Sequence, residues 1–143
     1  MLPEAIQLVI VTPTRQLLRV QVSEVTLPGA NGYLGILPGH APLMTELGIG
    51  ELTYKNSTPL APITITRGFA EVLPDRVTVL AETAELAAEI DLERAEAARA
   101  RAEKRLASGD SNMDWDRASV SLQRALIRIQ VARKHRGASV ESR

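Results

Sequence analysis

The chain reads as an α+β protein: an N-terminal antiparallel β-sandwich followed by a C-terminal antiparallel two-helix hairpin. Three observations predict this. All 8 prolines lie at or before Pro74, and seven of the 9 glycines lie at or before Gly68. Charge runs the other way, with 11 charged side chains in residues 1–81 and 23 in residues 82–143. The first part repeats apolar residues at spacing two between turn residues, whereas the second is rich in Ala, Glu and Arg, which are strong helix formers. The expected division is 1–86 for the sandwich and 87–143 for the hairpin.

Each element follows from local pattern. Ile6, Leu8 and Ile10 alternate with Gln7, Val9 and Val11, and Leu18, Val20 and Val22 repeat at spacing two. Val25–Leu27 ends at the turn cluster Pro28-Gly29-Ala30-Asn31-Gly32. Tyr33 to Leu43 carries Gly35, Pro38, Gly39, His40 and Pro42 inside an apolar run. Those breakers predict a shaped loop between strands, with apolar side chains packed beneath it. Strands at Ile49–Tyr54, Ile63–Thr66, Phe69–Leu73 and Val77–Leu80 follow, separated by Asn56-Ser57, Gly68 and Pro74-Asp75. No helical pattern intervenes, so parallel βαβ units are not expected, and short strands at close spacing suggest a sandwich or barrel.

The second part predicts two helices. Asp91 is the expected N-cap of Leu92–Ala107. Ser108 to Asn112 breaks the pattern, which restarts near Asp114 and runs from Ala118 through Lys134 to a stop at Gly137. Leu92, Ala95, Ala102 and Leu106 mark one face, and Ala118, Leu122, Ala125, Leu126 and Ile129 mark the other helix's face. Alanine permits close approach but buries little area at about 25 cal/mol per Å². The hairpin is therefore expected to be marginally held, able to detach or extend. Gly137 to Arg143 reads as a frayed tail. Arg133, Lys134 and Arg136 cluster where the second helix is expected to end, which suits the helix dipole.

Composition narrows the function. Hydrophobic residues make up 45% of the chain and aromatics only 3%, so the core is aliphatic. Seventeen basic and 17 acidic side chains leave no net charge and no basic surplus for nucleic acid. There is no cysteine, and two isolated histidines, His40 and His135, make a poor metal inventory. No apolar run nears the roughly 20 residues that span a bilayer, and no secretory signal is visible. These features predict a soluble intracellular protein whose membrane contact comes only through a partner. Catalytic motifs are missing too: there is no P-loop and no serine nucleophile elbow. His40 has no orienting carboxylate near it in sequence, so a structural or interface role is expected.

Three ordered blocks carry a resemblance. They are Gly35 to Leu43, then Gly68-Phe69-Ala70-Glu71-Val72 with Val77-Thr78-Val79-Leu80-Ala81, and Ile90-Asp91-Leu92-Glu93-Arg94-Ala95. Their order and spacing resemble the epsilon subunit of the rotary, proton-translocating ATP synthase. The resemblance implies a non-catalytic rotor-stalk subunit that couples proton flow to ATP synthesis. Its sandwich would grip the gamma subunit and the membrane ring of c subunits, with Tyr33, Leu37, His40 and Pro42 as candidate interface residues. Tyr33 stands where relatives often have an acid, which implies an altered ring contact. The hairpin would fold on the sandwich, or extend along gamma toward the catalytic alpha and beta subunits and inhibit ATP hydrolysis. No cofactor is required, but ATP is implied as a regulatory ligand. Ile90, Asp91, Arg94 and Ala95 match the Ile-Asp-x-x-Arg-Ala motif that binds ATP in some bacterial relatives, with Glu85 as a further candidate. Arg124 and Arg128 are i,i+4 neighbours whose repulsion an anion would relieve; a solvated basic face or pairing with partner carboxylates explains them as well. The implied location is the cytoplasmic face of a bacterial plasma membrane, with a photosynthetic membrane as the alternative. Two rival readings stand beside this one: a free-standing ATP-sensing regulatory protein, and an adaptor whose hairpin docks other helices.

Overall fold

Seven strands form one continuous sheet, in the spatial order Gln16–Val22, Ile6–Val11, Arg76–Leu86, Ile63–Leu73, Leu43–Lys55, Glu24–Gly29 and Gly32–Ile36. The computed structural model describes residues 2–57 and 62–141, with side chains described through residue 137. The strands are β1 (Ile6–Val11), β2 (Gln16–Val22), β3 (Glu24–Gly29), β4 (Gly32–Ile36), β5 (Leu43–Lys55), β6 (Ile63–Leu73) and β7 (Arg76–Leu86). A 3₁₀ turn at Ala87–Glu89 leads to α1 (Leu92–Ala107) and α2 (Trp115–Glu141). Neighbouring strands are antiparallel except β1 and β7, which run parallel. No crossover helix joins that pair. The intervening sandwich is itself the connection.

The sheet folds over so that one aliphatic core draws on every strand. Ile6, Leu8 and Ile10 of β1 are fully buried beside Val25 and Leu27 of β3, Ile36 of β4 and Leu52 of β5. The three long strands change their inward face partway along. The core residues on either side of the change are Leu47 and Leu52 in β5, Ile65 and Ala70 in β6, and Ala81 and Ala84 in β7. The members of each pair lie an odd number of positions apart, whereas an uninterrupted strand keeps one face at even spacing. The causes sit between them. Between its pairings with Thr26 and Gly29, β5 carries five residues against two on β3. Gly48 and Gly50 lie in that excess, and a Cβ on Gly50 would sit 2.6 Å from the Tyr33 hydroxyl and 2.8 Å from Pro28 Cβ. In β6, Arg67 and Gly68 take φ of 55° and 134°, so the backbone turns over without losing register. Such bends are how a strand passes from one layer of a sandwich to the other.

Several expectations need correction. The segment 33–43 is not a loop throughout. Gly32–Ile36 is strand β4, paired with β3, and Leu43 already belongs to β5, leaving residues 37–42 as the connection. Gly35 is tolerated because β4 is an edge strand with one neighbour. Gly68 does not separate two strands, since Ile63–Leu73 is continuous. Strands β5 and β7 run well beyond the alternating stretches. Gly137 does not stop α2, which continues to Glu141; the last two residues of the expected tail lie outside the described residues.

The hairpin forms as its sequence dictates. Asp91 caps α1, its Oδ1 accepting the Arg94 N–H at 3.1 Å. Asp114 does the same for α2 toward the Arg117 N–H at 3.1 Å. Buried alanines recur at sevens, Ala95 and Ala102 on α1 and Ala118, Ala125 and Ala132 on α2, the spacing of a helix–helix seam. Leu126 departs from the expected stripe and stays 42% exposed, while Val131 is buried.

Two predictions follow from this packing. A Cβ on Gly68 would overlap the Leu80 carbonyl oxygen, and its φ suits glycine alone. Gly68→Ala should therefore destabilise the chain by on the order of 2–3 kcal/mol in urea unfolding. The other concerns Arg15, which bridges the β1–β2 connection to the 3₁₀ turn with Nη1 and Nη2 on the two Glu89 oxygens at 3.0 and 2.6 Å. That hydrogen bond holds the Glu89 carboxyl below its ordinary 4.5. A depressed carboxyl pKa stabilises the fold above 4.5, and this is lost as pH falls through the folded value. The pair is half exposed, so the effect is modest. Glu89→Gln should lower stability slightly at pH 7 and flatten its decline between about pH 5 and pH 3; thermal unfolding across that range measures it.

Candidate functional site

Two regions bring sequence-singled residues together: the tip around residues 37–42, and the face where α2 lies on the sheet. At the tip, Gly39 has φ of 86° and donates its N–H to Pro74 O at 2.8 Å, tying the connection to the β6–β7 turn. A Cβ there would meet Leu2 Cδ2 at 2.9 Å, so Leu2 packs over Gly39. His40 Nδ1 donates to Ala41 O at 2.7 Å, and the His40 backbone N–H donates to Leu37 O at 3.1 Å. Both contacts shape the loop, and neither poises a base. Leu2, Leu37 and Met44 remain 75%, 59% and 65% exposed, and Pro42 is exposed beside them. Tyr33 is 60% exposed, yet its hydroxyl accepts the Glu51 N–H at 3.2 Å, which lays its ring over the β5 corner beside Gly50.

A second apolar stripe crosses the sheet itself. Phe69 of β6 pairs with Leu80 of β7, which pairs in turn with Val11 of β1. Phe69 and Leu80 are 53% and 52% exposed. Contiguous exposed apolar surface is where protein contacts form.

α2 is the helix that meets the sheet, against β5, β6 and the 3₁₀ turn, while α1 packs on α2. Under it lies one cross-strand row, Glu51 on β5, Thr64 on β6 and Glu85 on β7. Thr64 Oγ1 accepts the Glu85 N–H at 3.0 Å. Glu85 receives Arg128, with Nε donating to Oε1 at 2.8 Å and Nη2 to Oε2 at 3.1 Å. Glu51 is buried, and its two oxygens accept from Gln130 Nε2 and from Lys134 Nζ, the latter at 2.8 Å. Arg133 reaches Glu96 of α1 at 3.1 Å. The basic cluster therefore sits inside α2 rather than at its end, and interelement carboxylates account for Arg133 and Lys134 where a helix dipole does not.

The candidate nucleotide residues fall into separate environments. Asp91 is committed to its cap, Ala95 is buried, Ile90 is half-buried, and Arg94 is exposed. Arg128 and Glu85 neutralise each other. Arg124, one turn before Arg128, is exposed and lines a shallow cleft with Arg67, Arg117, Asp114 and Asp116. Sequence reasoning did not single out Glu51, Gln130 or Lys134 as partners. The available signal was a carboxylate inside the apolar run Ile49–Leu52. Among the described residues no group of three or more His, Cys, Asp or Glu side chains could hold a metal ion, and no helix is long and apolar enough to cross a membrane.

Residues 5–87 match the family model of the ATP synthase delta/epsilon chain β-sandwich domain, and residues 88–133 that of its long α-helix domain. An ATP synthase epsilon chain from Syntrophobacter fumaroxidans is 48% identical over 92% of this chain and 98% of its own length. The epsilon chain of Geobacter sulfurreducens is 49% identical over 92% and 96%. In overall shape the chain is similar to one in the Euglena gracilis mitochondrial ATP synthase assembly of OSCP, F1 and c-ring, with TM-score 0.77, 23% identity and coverage of 88% and 80%. A chain of the Tetrahymena thermophila mitochondrial central stalk and c-ring aligns at TM-score 0.55 and 14% identity, covering 91% and 95%. At those identities the structural likeness is one of fold. The two family models together span the sandwich and the hairpin, the relatives are near half identical along almost their whole length, and the chain belongs to the epsilon-chain family of ATP synthase.

Proposed function

We propose that this chain is a non-catalytic central-stalk subunit that joins gamma to the ring of c subunits on the cytoplasmic face of a bacterial plasma membrane. In this role it transmits rotation between proton flow and ATP chemistry carried out by other chains. The observation that carries the reading is the pair of apolar surfaces that the hairpin leaves open. The tip with Leu2, Leu37, Pro42 and Met44 suits the ring, and the Phe69–Leu80 stripe suits gamma. Epsilon chains of near half identity support the assignment to this complex.

The hairpin is proposed to restrain ATP hydrolysis by leaving the sandwich and extending along gamma toward the catalytic subunits. Its alanine seam and its ion-paired attachment favour such a role, because a two-state element works only when its states lie within a few kcal/mol. ATP is proposed as a regulatory ligand of Arg94 and Arg124 beside Ile90 and Asp91; Ala95, buried in the helix seam, reaches it only when the hairpin repacks. Arg128 joins that set only if it gives up Glu85.

Co-expression with gamma tests the central claim. Wild-type chain should co-purify with gamma as a stable complex, and Phe69→Asp with Leu80→Asp should weaken it at least tenfold while the isolated variant stays folded. Undiminished gamma binding by the variant would move the contact elsewhere, and failure of the wild type to bind at low salt would sink the stalk reading. For the ligand, calorimetric titration with ATP should show binding that Arg124→Ala abolishes. No heat from the wild type would remove ATP from the account.

A further inference from the structure

The carboxylate row beneath α2 has a defined spacing. Glu51 and Glu85 stand in one cross-strand row, two strands apart through Thr64, which sets them about 10 Å apart across the sheet. Their cations, Lys134 and Arg128, lie six residues apart on one helix, about 9 Å along its axis. α2 therefore crosses the strands with its charge spacing matched to the sheet. The two sites differ in burial. The Arg128 and Glu85 side chains are 23% and 29% exposed, whereas Glu51 is 7% exposed and Lys134 51%. Each Glu51 oxygen takes its donor from α2, one from Gln130 and one from Lys134. Among the described residues of the sandwich, the Tyr33 hydroxyl meets Glu51 only at its backbone N–H.

We infer that Glu51, with Gln130 and Lys134, is the latch that sets the balance between docked and released hairpin, and that Glu85–Arg128 sets the register in which it closes. The inference rests on the proposal that the hairpin is a detachable regulatory element. Its physical content is an asymmetry. A buried carboxylate tolerates dryness only while its donors are present. Removing one partner strands the charge, whereas removing both charges leaves a neutral contact at little cost. Docking is thus made conditional on two side chains of α2 arriving together at one buried anion. A purely apolar contact carries no such condition. Because Lys134 is half exposed, added salt weakens the latch from its outer side.

The chain has no cysteine, so spin labels placed at Thr53→Cys and Arg136→Cys report the separation of sandwich and hairpin in the full chain. The docked fraction is followed against urea and against salt. In the labelled background, Lys134→Met should lower the docked-to-released ratio at least tenfold, and adding Glu51→Gln to it should restore the ratio to within about threefold of the parent. The unfolding of β6 and β7, read by amide exchange, should stay unchanged in Lys134→Met. A ratio unmoved by Lys134→Met, or a double variant as released as the single, would overturn the latch. Gamma co-purification of the same variants separates the two claims. Intact gamma binding with an unmoved ratio refutes the latch alone, and loss of gamma binding by the parent refutes the stalk reading while leaving the ratio measurement valid.

Discussion

A single sheet that closes on itself must change, in mid-strand, the face it turns inward. β5, β6 and β7 all make that change, between Leu47 and Leu52, between Ile65 and Ala70, and between Ala81 and Ala84. The rest of the molecule depends on it. Before the corner, one parity of residues builds the aliphatic core; after it, the same parity faces outward. Gly48 and Gly50 give β5 its excess residues beside β3, and Arg67-Gly68 turns β6 over while its pairing with both neighbours stays in register. Tyr33 roofs the corner through the Glu51 N–H, and its ring stays exposed.

The corner also decides what lies beneath the helices. Beyond it, the outward parity of the three strands carries Glu51, Thr64, Thr66 and Glu85, of which Glu51, Thr64 and Glu85 form one polar cross-strand row. Burying such a row under an apolar helix would cost more than the area returns. α2 solves this with Arg128, Gln130 and Lys134 on its sheet side, and no buried side-chain polar atom is left without a partner among the described residues. Arg128 and Lys134 reach the sheet three residues to either side of the buried Val131, and the small-residue seam lies between the two helices. That combination holds a helix in one register without the large apolar area that would make release prohibitive.

Much of this was legible in the chain itself. The sandwich-then-hairpin order, the Leu92–Ala107 helix and its Asp91 cap followed from propensity, capping and the displacement of proline and glycine to one half. What was misread has physical causes. The Tyr33–Leu43 breakers suggested a loop because the rules for glycine in strands assume two neighbours, and β4 has only one. Gly68 looked like a strand boundary because a face change within a continuous strand leaves the same mark as a turn. Gly137 failed as a stop because a single glycine lowers helix propensity by only about 1 kcal/mol, and the helix continues across it. The Glu51 contact was illegible because its partners are 79 and 83 residues away, and no local pattern encodes a pairing of that range.

The two halves are therefore held by interactions that answer to different variables. The sandwich rests on aliphatic burial from all seven strands, which is non-directional and little affected by salt. The hairpin rests on two ion-paired glutamates against the sheet, which are directional and salt-sensitive, and on a row of alanines between its own helices, which is small in area. A perturbation of charge acts on the second set and leaves the first intact. Under the proposed stalk role, in which the sandwich stays attached to its neighbours while the hairpin changes position, that separation is the property that matters. It arises because the strand corner sends aliphatic parity inward on one side and carboxylate parity outward on the other.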